Sequence, residues 1–170
     1  MTSTAVSTIT GQQRAVRVTS NTPINWATQR GFYLDLPEPG ERQVSDSILR
    51  NGRLVFSTLI PNTEPCSFGG RSFVFALDVR GGIRPDAPFF DVNLDRILGS
   101  ADMLTVNGQP ASINAVESPG GMGIVGTPGI QISGTVDTSY WSGSDGQVAA
   151  VVQDLGAGPI GRQAWRRITQ

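Results

Sequence analysis

Apolar and polar residues alternate along this chain in short runs, and each run is closed by Gly, Pro, Asn or Asp. A period of two, broken roughly every 8–12 residues, is the signature of an all-β protein. Ala15-Val16-Arg17-Val18 predicts one short strand inside a Ser-, Thr- and Gln-rich opening. Residues 1–20 therefore read as a flexible tail or remnant strand, and residues 21–170 as the ordered domain. Phe32-Tyr33-Leu34-Asp35-Leu36 predicts a strand that stops at Pro37-Glu38-Pro39-Gly40, because proline cannot donate to a ladder. Residues 43–49 and 54–60 predict a hairpin around Arg50-Asn51-Gly52-Arg53, where Asn and Gly both tolerate positive φ. Residues 72–79 are expected to pair back onto 54–59. Later strands are predicted at 129–136, 147–153 and 163–168. Helical periodicity is confined to residues 97–104, where one short helix capped by Ser100 is predicted.

Strands of this length suit a sandwich, a barrel or propeller blades, and periodicity does not separate the three. Composition narrows the chemistry more than the fold. The chain has 170 residues, of which 21 are Gly and 11 Pro, too many turn formers for a helical bundle. Its net charge is −1 and none of its basic residues is Lys, so there is no electrostatic footprint for nucleic acid or for polybasic membrane docking. The absence of histidine excludes Ser-His-Asp, Cys-His and His-ligated zinc mechanisms. Cys66 is the single cysteine, so it is a free thiol, a link to another chain or half of a bond whose partner lies elsewhere. With Arg71 the one positively charged neighbour and no general base in reach, a structural or externally paired role is expected for it. No apolar run reaches the ~18 residues of a membrane span, and the opening MTSTAVSTITGQQR encodes no export signal. Trp26, Trp141 and Trp165 read as buried packing residues. Arg162, Arg166 and Arg167 read as the solvated face of a final strand.

One segment carries metal chemistry. Asp91-Val92-Asn93-Leu94-Asp95-Arg96-Ile97-Leu98-Gly99-Ser100-Ala101-Asp102 places side-chain oxygens at positions 1, 3, 5 and 12 of a calcium-type loop. Ile97 supplies a carbonyl at position 7. The candidate ligands are Asp91, Asn93, Asp95, Ile97 and Asp102, and the cofactor is Ca²⁺. Arg96 stands at position 6, where such loops carry Gly, and should weaken affinity through backbone strain of roughly 1–2 kcal/mol and a positive charge near the ion. The alternative is an ion-free Asp/Asn-rich turn capping the short helix.

Several separated segments taken together resemble the C-terminal region of the PilC/PilY family, the type IV pilus tip-associated adhesins and biogenesis factors. They are Gly31–Leu36, Gly40-Glu41-Arg42, Thr58–Ser72 with its Pro-Cys-Ser-Phe-Gly-Gly core, Phe90–Asn93, Gly123–Pro128, Ser142–Gly146 and the closing Gly161–Arg166. The resemblance runs from about residue 21 to the end. Phe32 stands where Trp is expected, and Leu94 and Arg96 replace two glycines between the Asp/Asn positions. It implies terminal blades of a quinoprotein-like β-propeller and a role in pilus extension and attachment at the outer surface of Gram-negative cells. Blades of about 40–50 residues allow three or four here, whereas closed rings generally hold 4–8, so an incomplete ring is expected. The chain should then be a C-terminal portion of a longer protein, poorly soluble or oligomeric alone.

The function expected is a non-enzymatic, calcium-modulated adhesion and biogenesis module. Its expected partners are the remaining blades or an upstream polypeptide, minor pilins and a host-surface receptor. Two competing readings are a quinoprotein-type dehydrogenase fragment, and a free-standing calcium- or carbohydrate-binding β-sandwich.

Overall fold

A computed structural model of the chain describes residues 5–9, 14–64, 66, 69–81, 83–119 and 122–156, with 5–9 and Arg14 as backbone only. The strand expected at 163–168 lies outside the described residues, as do Trp165, Arg162, Arg166 and Arg167. In chain order the first strands are β1 (Ala5–Ile9), β2 (Arg14–Val18), β3 (Ile48–Arg50), β4 (Arg53–Pro61) and β5 (Gly70–Asp78). They are followed by β6 (Met103–Val106), β7 (Gln109–Ser112), β8 (Ala115–Glu117), β9 (Gly129–Ser133), β10 (Val136–Ser142) and β11 (Val148–Asp154). All pair antiparallel, in a six-stranded sheet β1-β2-β8-β5-β4-β3, a three-stranded sheet β11-β10-β9 and the hairpin β6-β7.

The large sheet is apolar on both faces because β4 and β5 are apolar at nearly every position. Phe73, Phe75 and Leu77 of β5 join Phe56 and Ile60 of β4 on one face, where Phe56 and Phe75 stack with centroids 5.0 Å apart. Val74, Ala76, Val55, Val16 and Val116 form the other face, packed against Phe89, Phe90, Val92, Trp141 and Val151. The three-stranded sheet thus covers one side of the large sheet. The β3–β4 hairpin turns as expected, with Asn51 at φ 47° and Gly52 at φ 78°. Arg50 makes a two-pronged ion pair with Asp137 of β10, one prong being 2.7 Å, and this ties the two sheets together.

Four expected elements and one expected burial need correction. Residues 32–36 form no ladder: their alternation aims Phe32, Leu34 and Leu36 down onto the Phe-rich face, so the periodicity reports a segment lying across a sheet. Only Ile48–Arg50 of the strand expected at 43–49 is strand, because the Gln43 amide donates to Ser45 O and Ser47 Oγ and holds a local turn. The run 129–136 is broken by Gly134 at φ 66°, giving β9 and β10 in place of one strand. The expected helix is a single 3-10 turn, Ser100–Asp102, and Met103 leads straight into β6. The stretch before residue 21 contributes β2, whose Val16, Arg17 and Val18 are buried. Trp141 is buried as expected, whereas Trp26 is 57% exposed. Cys66 is exposed and its sulfur is free.

A charged cluster lies inside the Phe-rich face. The Arg17 side chain is fully buried, with its guanidinium 3.6 Å from the Phe73 ring centroid and Nη1 2.6 Å from Glu41 Oε1. Thr58 Oγ1 donates to the same Glu41 oxygen at 2.6 Å.

A second charged node closes the end of β5. Arg80 and Arg53 both reach Asp78, at 2.9 and 3.2 Å. The Arg80 side-chain hydrogen bond holds the Asp78 carboxyl below the usual carboxylate range; burial opposes it, and the Arg80 N–H and both arginine charges add to it. A carboxyl whose folded-state pKa is depressed stabilises the fold above the unfolded-state pKa and loses that contribution as pH falls through the folded-state value. Urea unfolding midpoints should therefore fall on acidification below the ordinary Asp range, and Asp78→Asn should flatten that acid limb. An unchanged acid limb in the variant would rule out this role for Asp78.

Candidate functional site

The Asp91–Asp102 loop springs from the core. Residues 89–91 lie along the outer edge of β11: Asp154 N donates to Phe89 O at 2.7 Å, Phe90 bridges Gln153, and Asp91 N donates to Val152 O at 2.9 Å. Phe90 meets Trp141 edge-on with centroids 6.4 Å apart, and Trp141 Nε1 donates to Ser139 Oγ at 2.9 Å. Asp91 is held at the end of this rigid segment and is only 1% exposed.

Its two oxygens differ. Oδ2 accepts from Arg96 N at 2.9 Å, while Oδ1 is buried and has no hydrogen-bond partner among the described residues. Burial pushes the Asp91 carboxyl upward; the N–H groups of Arg96 and Leu94 oppose that, and the charges of Asp102 and Asp95 add to it. Farther along, Asn93 Oδ1 accepts from Asp95 N at 3.1 Å, and Asp95 Oδ1 accepts from Ile97 N at 2.7 Å. These successive side-chain turns wrap the backbone tightly. Leu94 and Arg96 consequently adopt left-handed backbone angles, φ 63° and 67°. They are the two positions at which glycine was expected, so the loop takes its glycine-type course without glycine.

Asp102 closes the loop from inside. Its Oδ1 accepts from Val92 N at 2.8 Å and Asn93 N at 3.4 Å, and its Oδ2 accepts from Gly99 N at 3.0 Å. The carboxylate, 0% exposed, thereby satisfies three backbone donors. Asp91, Asn93, Asp95, Ile97 and Asp102 thus share one wrapped loop, with Ile97 exposed at its outer side. Among the described residues no group of three or more His, Cys, Asp or Glu is drawn together as a metal cluster. The chemistry on offer is oxygen donation, with Asp91 Oδ1 the one buried acceptor of the loop left open.

Sequence reasoning placed Trp141 in the core but did not connect it, Phe90 or the Asp102 clamp with the positioning of this loop. Phe90 and Trp141 carry a detectable signal, since large aromatics just before an Asp-rich turn and within an alternating strand point to a shared core. The Asp102 clamp has no comparable signal, because a carboxylate that satisfies backbone N–H groups reads the same in sequence as a metal ligand.

No protein-family profile matches the chain. Aligned with the type IV pilus biogenesis factor PilY1 of Pseudomonas aeruginosa strain PAO1, it is 28% identical over 174 residues, taking in 96% of the chain and 14% of the relative. A PilY1 homolog of Xylella fastidiosa strain Temecula1 is 32% identical over 161 residues, 91% of the chain and 12% of the relative. The crystal structure of the Pseudomonas aeruginosa PilY1 C-terminal domain matches the fold with a TM-score of 0.70 at 22% identity, over 93% of this chain and 31% of that one. The chain spans 12% to 14% of the length of these curated relatives.

Proposed function

Because this chain belongs to the PilY1 family of type IV pilus biogenesis factors, we propose that it is a non-catalytic module of pilus biogenesis and adhesion. It would act at the cell surface or pilus tip as part of a longer polypeptide. The observation carrying this reading is that 96% of the chain aligns with one region of a pilus biogenesis factor. In this reading its sheets are terminal blades of a quinoprotein-like propeller. They would pack against the remaining blades or an upstream polypeptide, with minor pilins and a host-surface receptor as further partners. Deleting the coding region from the native host should lower the yield of sheared surface pili and shrink twitching zones. Normal piliation and motility in that strain would overturn the assignment.

We propose also that the Asp91–Asp102 loop takes Ca²⁺. A hard cation suits the unpartnered, buried Asp91 Oδ1, and Asn93, Asp95 and the Ile97 carbonyl would add further oxygens, while Asp102, bonded to the Val92, Asn93 and Gly99 N–H groups, would hold the loop closed around the ion. The ion would supply charge neutralisation, relieving repulsion among Asp91, Asp95 and Asp102 and favouring the ordered loop. Asp91→Asn should weaken calcium binding at least roughly tenfold in calorimetric titration. Arg96→Gly should tighten it several-fold by removing a nearby positive charge. It should also raise the melting temperature, because relief of left-handed strain of about 1–2 kcal/mol exceeds the added chain entropy of glycine. Calcium binding unchanged by Asp91→Asn would remove the loop from consideration.

A further inference from the structure

We propose that the cleft between the Asp91–Asp102 loop and the outer face of β10 and β11 binds an acidic sugar, with Arg96 as the anchor for its carboxylate. The cleft measures about 480 Å³, within the range of small-ligand sites. Asp91, Leu94 and Arg96 form one wall, with the Asp91 carboxyl buried behind the two exposed side chains, Ser133, Thr138 and Tyr140 form the other, and Ala150 and Val152 lie between them.

Backbone energetics first draw attention to this wall. Glycine would adopt φ 63° and 67° freely, yet both positions carry side chains, and both side chains line the same cleft. Wrapping the loop does not require Leu or Arg there. The strain is accounted for if these side chains contact something the loop itself does not contain.

Charge then selects the ligand. Most arginines near the core are spoken for: Arg17 by Glu41, Arg50 by Asp137, Arg53 and Arg80 by Asp78, and Arg71 by Glu38 and Glu117. Arg96 bonds through its backbone N–H to Asp91 Oδ2, and its guanidinium makes no hydrogen bond or ion pair among the described residues. A planar guanidinium without a partner at the rim of a cleft matches a carboxylate in two-pronged fashion. The larger pocket of about 540 Å³ at the end of β5 lacks this property, because Arg53 and Arg80 there are already paired with Asp78.

The opposite wall favours a sugar over an acidic peptide. Ser133, Thr138 and Tyr140 present three hydroxyls that can both donate and accept, which suits a polyol ring. Ala150 and Val152 offer a small apolar floor to its C–H face, and Tyr140, 42% exposed, provides an aromatic edge.

The test is a titration of the protein with D-galacturonate, D-galactose and a tri-glutamate peptide, followed by amide chemical shifts, in EDTA and in calcium. Galacturonate should saturate at roughly millimolar concentration and shift the amides of β10 and the loop, with galactose at least about tenfold weaker. Arg96→Gly should lose about tenfold in galacturonate affinity while melting no lower than the parent, and Arg96→Lys should fall between. Running both buffers keeps sugar binding and cation binding apart, since the Arg96 dependence is expected in each. Equal affinity for galactose, undiminished binding by Arg96→Gly, preference for the peptide, or no saturation would each overturn the assignment.

Discussion

Glu41→Gln should destabilise the protein by about 3–5 kcal/mol, the range found when one partner of a buried ion pair is removed. Arg17 and Glu41 side chains are both 0% exposed and lie 2.6 Å apart, so the substitution strands a guanidinium in the core. Two of its nitrogens, Nε and Nη2, already lack hydrogen-bond partners among the described residues, and Glu38 at 3.8 Å is too distant to substitute for Glu41. Stacking on Phe73 recovers only part of the loss. The double variant Arg17→Met/Glu41→Gln should recover much of it, because an apolar side chain removes the unpaired charge altogether. Urea unfolding of the two variants beside the parent measures this, and equal stability of Glu41→Gln and parent would show the pair to be dispensable.

Trp141→Ala is expected to cost a similar amount, about 3–5 kcal/mol, through lost burial and the cavity left between the sheets. The ring is wholly buried, donates to Ser139 Oγ and supports Phe90 edge-on. Its removal should reach the Asp91 loop as well, because residues 89–91 are pinned between β11 and this ring. Amide exchange at Val92 and Arg96 should therefore quicken more in Trp141→Ala than in an equally destabilised variant on the Phe-rich face. Equal quickening in both would disconnect the ring from the loop.

Sequence legibility followed the range of the forces involved. The β3–β4 hairpin was readable because Asn51-Gly52 encodes its turn locally, and the pairing of β4 with β5 follows from two long apolar runs. Asn107-Gly108 carries the same signal, at φ 52° and 76°, for the β6–β7 hairpin, although Pro110 weakens the second strand as a pattern. Residues 32–36 misled for the opposite reason. A segment lying across a sheet buries alternate side chains just as a strand does, and only the tertiary structure tells the two apart. At the loop, the oxygen spacing was legible and the left-handed course of Leu94 and Arg96 was implicit in it. The division of labour between Asp91 and Asp102 was not, since it depends on which N–H groups each carboxylate meets.

The partnership of β2 with β8 bears on the order of events during synthesis. Val16 lies opposite Val116 in the large sheet, so β2 waits for a strand made a hundred positions later. Closing so long a loop is entropically slow, and no shorter nascent chain can complete the sheet. The β3–β4–β5 meander, being local, is the natural nucleus, while β2 is stitched in last. A newly made chain thus remains open along this seam until β8 has left the ribosome.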